Sequence, residues 1–239
     1  MSAMSEEQIN LFDLPAVAPA ALTEPPPPQF DPATIPTDGR VPIPRGTYDS
    51  LASLAAHCGQ CQRCGLAAGR TQVVVSRGAP KAAIAIIGEG PGQSEDETGL
   101  PFVGKSGQLL DKILASVRLD MDRDVHVCNV VRCRPPGNRA PTPEEIAACR
   151  PYLMEQIRLV DPKIILLTGA TAVKGVTGRK EGITKIRGQW MEWEGRLCMP
   201  IFHPAYLLRN ASREKGSPKW LMWQDIQAVR AKFDELQGA

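Results

Sequence analysis

Cysteine spacing is the first feature of this sequence that could support chemistry. The stretch HCGQCQRCG, residues 57–65, places Cys58, Cys61 and Cys64 at two overlapping Cys-x-x-Cys spacings. Two further cysteines, Cys133 and Cys149, flank a proline-rich loop. One Cys-x-x-Cys pair and two remote cysteines supply four thiolates, which suit a tetrahedral zinc ion and a [4Fe-4S] cluster about equally. The spacing therefore predicts a metal centre without naming the metal.

The loop GEGPGQSEDETGLPFVG, residues 88–104, is a second candidate site. Its glycines allow the backbone to approach a ligand closely, and its prolines stiffen that approach. It lacks the Gly-Lys-Ser/Thr of a P-loop, and its run of carboxylates would repel phosphate groups. Either the loop shapes a pocket for a ligand other than a nucleotide phosphate, or it is an acidic surface loop.

Three other side chains favour the pocket. Asn129 ends an apolar run, and its amide can both donate and accept, as recognition of a pyrimidine edge requires. Phe102 offers a flat surface for stacking, and His203 could donate to a carbonyl or to a developing anion. A structural role for a single histidine is the alternative.

Apolar periodicity predicts the elements that must position these residues. Continuous apolar runs predict buried parallel strands, and the runs GQLLDKILASV and TPEEIAACRPYLMEQIRLV between them have the period of helices. Thr142 is the expected N-cap of the second helix, with Glu145 completing a capping box. The predicted strands are residues 82–88, 125–131, 163–169 and 197–204.

Alternating strands and helices predict an α/β fold, a three-layer αβα sandwich with a mainly parallel, four-stranded central sheet. In such sheets the ligand lies outside the carboxyl ends of the strands. Residues 88–92, Asn129 and His203 all follow predicted strand ends. We therefore expect them to meet at one edge of the sheet.

Composition restricts the class of protein. The 239-residue chain is long enough for one domain with its own core, and it shows neither a signal-peptide pattern nor a run of roughly 18 apolar residues that could span a membrane. Seven cysteines, an odd number, favour a reducing cytoplasm over a disulfide framework. We expect a cytoplasmic protein with no membrane partner.

Residues 1–46 differ from the rest of the chain. They carry six acids against two arginines, a net charge of −4, which leaves +6 on residues 47–239. Ten of the 22 prolines lie in residues 15–46, so we expect a disordered N-terminal tether followed by one domain over residues 47–239. The tip of the tether, QINLF at Gln8 to Phe12, resembles the peptide by which bacterial repair and replication proteins bind the sliding clamp.

Four ordered motifs resemble one family. GEGPGQSEDETGLPFVGKSGQLL, NVVRCRPPGNRAPTPEEIAAC, ITKIRGQ and HPAYLLRN are similar to the family 4 uracil-DNA glycosylases, which carry an iron-sulfur cluster. The resemblance begins near Cys61, reaches the last helix and does not cover residues 1–46. It implies a uracil-DNA glycosylase-like fold and, for activity, hydrolysis of the bond between uracil and deoxyribose in single- or double-stranded DNA by a monomer. The product is an abasic site, which starts base-excision repair.

The resemblance also implies roles for pocket residues. Phe102 would stack on uracil, Asn129 would read its polar edge, and His203 would stabilise negative charge on the departing base. Gly90 stands where better-known uracil glycosylases have an Asp near the attacking water. Glu89 is therefore the first candidate to orient water or to stabilise the sugar cation, with Glu95 and Asp96 next. Helix capping is the alternative role for the last two. Backbone that shapes the pocket would come from Gly88, Gly90, Pro91 and Gly92.

For the metal centre, the resemblance implies a [4Fe-4S] cluster rather than zinc, with a structural role. Its ligands would be Cys61, Cys64, Cys133 and Cys149. Cys58 completes the apolar stripe of a helix, so we expect it to pack in the core.

DNA contacts are expected around HPAYLLRN. Leu207 or Leu208 would be an apolar wedge that fills the gap left by a flipped base, with Arg209 near a phosphate. Lys185 and Arg187 suit the DNA backbone. The alternatives are that both leucines belong to the core and that the basic residues are scattered solvated charges.

Two rival functions remain. A relative that traps the abasic product covalently carries a histidine-bearing basic insert after the second strand, whereas CRPPGNRAPTP has no histidine. A catalytically silent nucleic-acid-binding module, with its metal site and tether serving assembly, is the rival from another class.

Overall fold

The computed structural model of the protein describes residues 38–238. The clamp-like peptide at residues 8–12 lies outside them. Residues 38–46, at the end of the predicted tether, are described, and Ile43 is buried in a cluster with Tyr48 and Leu54. The boundary between tether and domain after residue 46 therefore remains a prediction.

A six-stranded sheet organises the described chain, with the strand order β1-β3-β2-β4-β6-β5. Its four central strands are parallel, as predicted, and the sequence missed only two short antiparallel edge strands, β1 and β5. β2, β3 and β4 are buried along their whole length. The strands are β1 (Arg77–Gly78), β2 (Ile84–Gly88), β3 (Val125–Asn129), β4 (Ile164–Thr168), β5 (Met191–Trp193) and β6 (Arg196–Ile201).

Helices connect the strands and cover the sheet. The described helices are α1 (Leu51–Gly59), α2 (Gln93–Thr98), α3 (Lys105–Ser116), α4 (Pro143–Val160), α5 (Ala170–Thr177), α6 (Ile183–Ile186), α7 (Pro204–Arg209) and α8 (Pro218–Gln237). Thr142 caps α4 and forms the predicted capping box with Glu145. Within residues 38–238, no helix has both the length and the apolar character needed to cross a membrane.

Alternating side chains of the buried strands build two cores. Ile84 and Ile86 face a cluster that includes residues of α3, α7 and α8. Ala85 and Ile87 face the opposite cluster, which includes residues of α4, α5 and α6. This period of two places helices on both faces and gives the predicted three-layer α/β fold. The carboxyl ends of β2, β3, β4 and β6 therefore lie along one edge.

Candidate active site and metal centre

A cleft lies at the carboxyl ends of the parallel strands. Glu89 follows β2, Asn129 is the last residue of β3, Thr168 is the last of β4, and His203 follows β6. The structure brings these residues together with Phe102, as the strand pattern led us to expect. Other cleft residues from the sequence analysis are Gly90, Pro91, Gly92, Glu95 and Arg209.

Close packing fixes the ring of Phe102 beside the amide of Asn129. A Cβ on Gly88 would lie 2.5 Å from Phe102 Cζ and 2.4 Å from Asn129 Oδ1. A Cβ on Gly107 of α3 would lie 1.7 Å from the carbonyl oxygen of Phe102. Both positions therefore require glycine, and Phe102 itself has a φ of 55°, which is rare for a bulky residue and is typical of functional sites.

The amide oxygen of Asn129 lacks a hydrogen-bond partner among residues 38–238. Its side chain is 2% exposed, and no hydrogen-bond donor to Oδ1 is found among the described residues. A buried acceptor without a partner costs about 1–3 kcal/mol, so such groups usually serve a ligand. The orphaned oxygen at the cleft predicts a ligand with an N–H group.

His203 stands opposite Phe102, with ring centroids 5.8 Å apart and planes inclined by 30°. The backbone N–H of Ala205 donates to His203 Nδ1 at 3.1 Å. Nδ1 must therefore be unprotonated, which places the proton of the neutral ring on Nε2. Burial lowers the pKa of His203 below 6.5, with Glu89 acting in the opposite direction. At neutral pH the ring is an uncharged donor through Nε2.

Glu89 is held by a residue that the sequence analysis did not single out. Thr171, in the first turn of α5, donates its hydroxyl to Glu89 Oε2. This contact orients one carboxylate oxygen. The other oxygen, Oε1, has no hydrogen-bond donor among residues 38–238. Nothing in the local sequence around Thr171 pairs it with Glu89, because 82 positions separate the two residues.

The other two acids hold the loop together. Glu95 accepts hydrogen bonds from the backbone N–H groups of Gly92, Val103 and Gly104 at 3.1, 2.9 and 2.8 Å. Asp96 is buried outside the cleft and accepts from the backbone N–H of Thr71 at 2.9 Å. Glu95 therefore has the capping role considered as the alternative to catalysis, since Gly92 and Gly104 are the N-caps of α2 and α3. Asp96 instead holds the backbone of the segment before β1, which is a structural role other than helix capping.

Gly90 has little room for a side chain. A Cβ at this position would lie 2.9 Å from Val131 Cγ2. The Asp found here in better-known uracil glycosylases would require Val131 to shift. Further cleft residues that the sequence analysis missed are Ser106, Pro135, Asn138, Arg139, Thr168, Gly169, Ala170, Thr171, Ala205 and Tyr206. Most of them lie in or beside the quoted motifs, but nothing in their types marked them.

The two candidate wedge leucines differ in exposure. Leu207 is 1% exposed and belongs to the core, whereas Leu208 is 45% exposed. Arg209, next in the chain, is exposed and lines the cleft. Of the pair, Leu208 has the position of a wedge.

The two basic candidates near α6 also differ. Arg187 donates to Asp225 Oδ2 at 2.8 Å and to the carbonyl of Leu221 at 3.1 Å, which ties α6 to α8. Its guanidinium is therefore occupied by a protein carboxylate. Lys185 is exposed and has no acidic partner among the described residues, so it remains available to a phosphate.

Four of the cysteines converge on one cavity beneath the loop after β3. Cys61, Cys64, Cys133 and Cys149 line it, as the resemblance implied. Cys58 also reaches the cavity wall, while packing in the core with Tyr48 and Leu54. Burial raises the pKa of the free Cys133 thiol to about 11. All seven cysteines, which lie within residues 38–238, are free of disulfides.

Two guanidinium groups donate toward these sulfurs. Arg70 Nη1 lies 3.5 Å from Cys133 Sγ, and Arg132 Nη1 lies 3.7 Å from Cys149 Sγ. Arg132 is 1% exposed, and among residues 38–238 it forms no ion pair with a carboxylate. A buried cation without an anion is costly, so this cavity favours an anionic occupant or anionic thiolates.

In the described part of the chain, no three His, Cys, Asp or Glu side chains are close enough to hold a single metal ion. Tetrahedral zinc would need four sulfurs about 2.3 Å from one centre. Four thiols that line one cavity are a donor set that both a sulfur-ligated zinc ion and a [4Fe-4S] cluster use.

The class of protein follows from this fold and this cleft. An α/β domain with an amide and a histidine at its strand ends and an aromatic ring beside them has the groups that recognition of a pyrimidine base requires. The family model described as the uracil DNA glycosylase superfamily matches residues 75–227, and the chain belongs to this superfamily.

Relatives narrow the assignment to type 4. The chain is 49% identical to the type-4 uracil-DNA glycosylase of Thermotoga maritima over 181 residues, which is 75% of this chain and 92% of that protein. It is 38% identical to the type-4 enzyme of Sulfurisphaera tokodaii, over 76% of this chain and 84% of that protein. A type-5 uracil-DNA glycosylase of Pyrobaculum aerophilum is 28% identical, over 73% of this chain and 89% of that protein. Within the superfamily, the chain is a type-4 uracil-DNA glycosylase, as its motifs indicated.

Proposed function

We propose that the cleft binds a uracil extruded from DNA and that the enzyme hydrolyses its N-glycosidic bond, leaving an abasic site for base-excision repair. The observation that carries this proposal is the buried Oδ1 of Asn129, which has no donor among the described residues. Uracil presents an N–H beside a carbonyl, and an amide matches both. A base inside a duplex is unreachable, so the target nucleotide must be flipped out first.

Three side chains bind the base. Phe102 stacks on its face, and Gly88 lets the ring and the Asn129 amide approach it together. His203 donates from Nε2 to a uracil carbonyl. As the glycosidic bond breaks, its electron pair moves onto the base, and the neutral His203 donor stabilises that negative charge. A fixed donor aimed at developing charge is worth about 100- to 1000-fold in rate.

Glu89 is the carboxylate we assign to the attacking water. Thr171 holds one of its oxygens, so the other can accept a proton from water as the oxygen bonds to the sugar carbon. Its charge also lies where the sugar becomes cationic. Glu95 and Asp96 have a positioning role, because their oxygens hold loop backbone.

Leu208 and Arg209 contact the DNA outside the cleft in this proposal. Leu208 fills the gap in the stack left by the flipped nucleotide, and Arg209 neutralises a nearby phosphate. Lys185 adds a further phosphate contact, whereas Arg187 supports α6 through Asp225.

The metal centre is proposed to be a [4Fe-4S] cluster held by Cys61, Cys64, Cys133 and Cys149. The cavity they share and the two guanidinium groups beside it support this donor set. When bound, the cluster supplies a structural cross-link between the N-terminal helix, the loop after β3 and α4. Cys58 packs beside the cavity as a core residue.

A matched pair of variants tests the cluster. Cys61→Ala should abolish the broad visible absorbance typical of iron-sulfur proteins and lower the iron content, whereas Cys58→Ala should retain both. The opposite result, or a colourless zinc-loaded protein from anaerobic purification, would reject the proposed ligands or the metal.

The enzymatic test uses the purified holoenzyme and an oligonucleotide with one uracil. Alkali should cleave the strand at the uracil position after incubation, and a thymine control should stay intact. An oligonucleotide that stays whole would indicate a silent binding module, and a protein-DNA adduct stable to denaturant would indicate covalent trapping instead.

We also propose that Gln8 to Phe12 bind the sliding clamp, with the proline-rich stretch as spacer. The enzyme would act as a monomer in a reducing cytoplasm, in keeping with its free thiols and its DNA substrate. Pull-down of purified clamp by the full chain should be lost in a Leu11→Ala, Phe12→Ala double variant. An unchanged pull-down would reject the peptide as a clamp ligand.

A further inference from the structure

A second groove lies between α3, α7 and α8, outside the uracil cleft. We propose that it binds the single-stranded DNA flanking the target uracil, with bases stacked on tryptophan and phosphates on lysine and arginine. This inference rests on the proposed glycosylase function and assigns the path of the substrate strand. The residues that carry it are Lys112, Arg213, Lys219, Trp220 and Trp223.

Charge favours a polyanionic occupant. Among the described residues, the charged side chains that line the groove are Lys112, Arg213 and Lys219, all of them cations. Arg213 has no acidic partner within the described chain, and Lys219 contacts only the carbonyl of Ala211, at 3.3 Å. Cations along a groove attract the phosphate backbone independently of sequence.

Aromatic surface favours unpaired bases. Trp223 is 40% exposed, one of three large apolar side chains in the described chain that are this accessible. Trp220 is half-buried, precedes Trp223 by three residues in α8 and lines the same groove. Grooves that combine cations with exposed aromatic rings are typical of single-strand binding, because every base offers a face for stacking.

α7 separates the groove from the uracil cleft. Leu207 lines the groove, whereas Tyr206 and Arg209 of the same helix line the cleft. An α-helix with its side chains is about 10–12 Å across. A single strand of DNA covers that distance in about three nucleotides. A strand that leaves the cleft at Arg209 therefore crosses exposed Leu208 and reaches the tryptophans within a few nucleotides.

The main test compares substrates of different length. Single-stranded oligonucleotides would carry uracil near the 5′ end, near the 3′ end or in the centre, so that flanking DNA extends from one side, the other or both. KM should fall when the flank on the groove side is added. Trp223→Ala should raise KM for that long substrate roughly tenfold, leave the short substrate unchanged and preserve kcat.

Matched controls separate stacking from general effects. Trp223→Phe retains an aromatic face and should restore most of the affinity. Lys219→Ala should weaken binding of the long substrate and flatten its salt dependence. Lys232→Ala should change neither, because Lys232 lies on the same helix outside the groove and pairs with Glu235.

The failures of the two proposals are distinguishable. Absence of scission with every substrate would reject the glycosylase function. Scission whose KM is independent of flank length, or equal in the Trp223 variants and the wild type, would reject the groove as a DNA site. The acidic N-terminal segment is the competing occupant of the groove. The proposal would also be overturned if deletion of residues 1–37 raised the affinity for DNA while Trp223→Ala left that affinity unchanged.

Discussion

The guanidinium of Arg132 lies between the thiol cavity and Asn129, the residue proposed to read the base. Its Nη1 is 3.7 Å from Cys149 Sγ and 3.4 Å from the backbone carbonyl oxygen of Asn129. The other terminal nitrogen donates to Gln156 Oε1. One buried cation therefore contacts both the proposed cluster ligands and the strand end of the uracil cleft.

This position predicts that Arg132 makes stability depend on the metal centre. In the holoprotein, thiolates balance the cation, whereas removal of the cluster leaves it buried and uncompensated, at a cost of about 3–5 kcal/mol. Iron chelation should therefore lower the urea midpoint much more in the wild type than in Arg132→Met. The measurement is the four midpoints of wild type and variant, with and without cluster. Equal losses on chelation would show that Arg132 serves only as a hydrogen-bond donor.

Asn129→Leu is expected to separate activity from stability. Leucine has a similar shape but cannot bind the uracil edge, so kcat/KM should fall by about 100- to 1000-fold or more. The unfolding midpoint should be unchanged or higher, because the variant removes a buried oxygen that finds no donor in the described chain. Visible absorbance controls for cluster content. A large loss of stability would mean that the amide has a structural partner.

The lowered pKa of His203 predicts that the protein becomes less stable on acidification. Burial lowers the pKa of His203 in the folded protein below its usual 6.5. The stability that the neutral His203 ring contributes is therefore complete above pH 6.5, and it is lost as the pH falls through the pKa of His203 in the folded protein. His126, whose pKa burial also lowers, acts in the same direction. His203→Gln should reduce the decline of the urea midpoint between about pH 7.5 and pH 5, without abolishing it.

The same substitution should alter catalysis. Protonation of Nδ1 would remove the acceptor for the Ala205 N–H, so wild-type kcat should fall on the acidic side. In His203→Gln, kcat should be about 100-fold lower, and its pH profile should no longer fall on the acidic side. If the pH profile of kcat in His203→Gln kept an acidic limb identical to that of the wild type, the limb would belong to another group.

Adjacent leucines should respond in opposite ways. Leu207→Ala removes a buried side chain and should destabilise the fold by about 2–5 kcal/mol. Leu208→Ala should leave the urea midpoint nearly unchanged but reduce kcat/KM for double-stranded DNA more than for single-stranded DNA, because only the duplex must be held open. An equal effect on the two substrates would reject Leu208 as a wedge.

Local patterns were sufficient for much of the fold. The buried strands read as continuous apolar runs, and Thr142 with Glu145 marked the start of α4. Residues at the strand ends met at one edge because parallel strands share that geometry. Edge strands of two and three residues left no pattern, because so short a segment has no measurable period.

Side-chain roles were less predictable. Spacing could not choose among Glu89, Glu95 and Asp96, since the choice depends on which carboxylates are engaged by distant backbone N–H groups. Thr171 and Arg132 act through contacts far apart in sequence. Leu207 and Leu208 differ only in the direction each faces from a short helix.

Gly90 places a constraint on how this site can evolve. A side chain at this position meets Val131 before it reaches the cleft. An acid at position 90 would therefore have to displace the Val131 side chain, so the effect of a substitution at either position depends on the residue at the other.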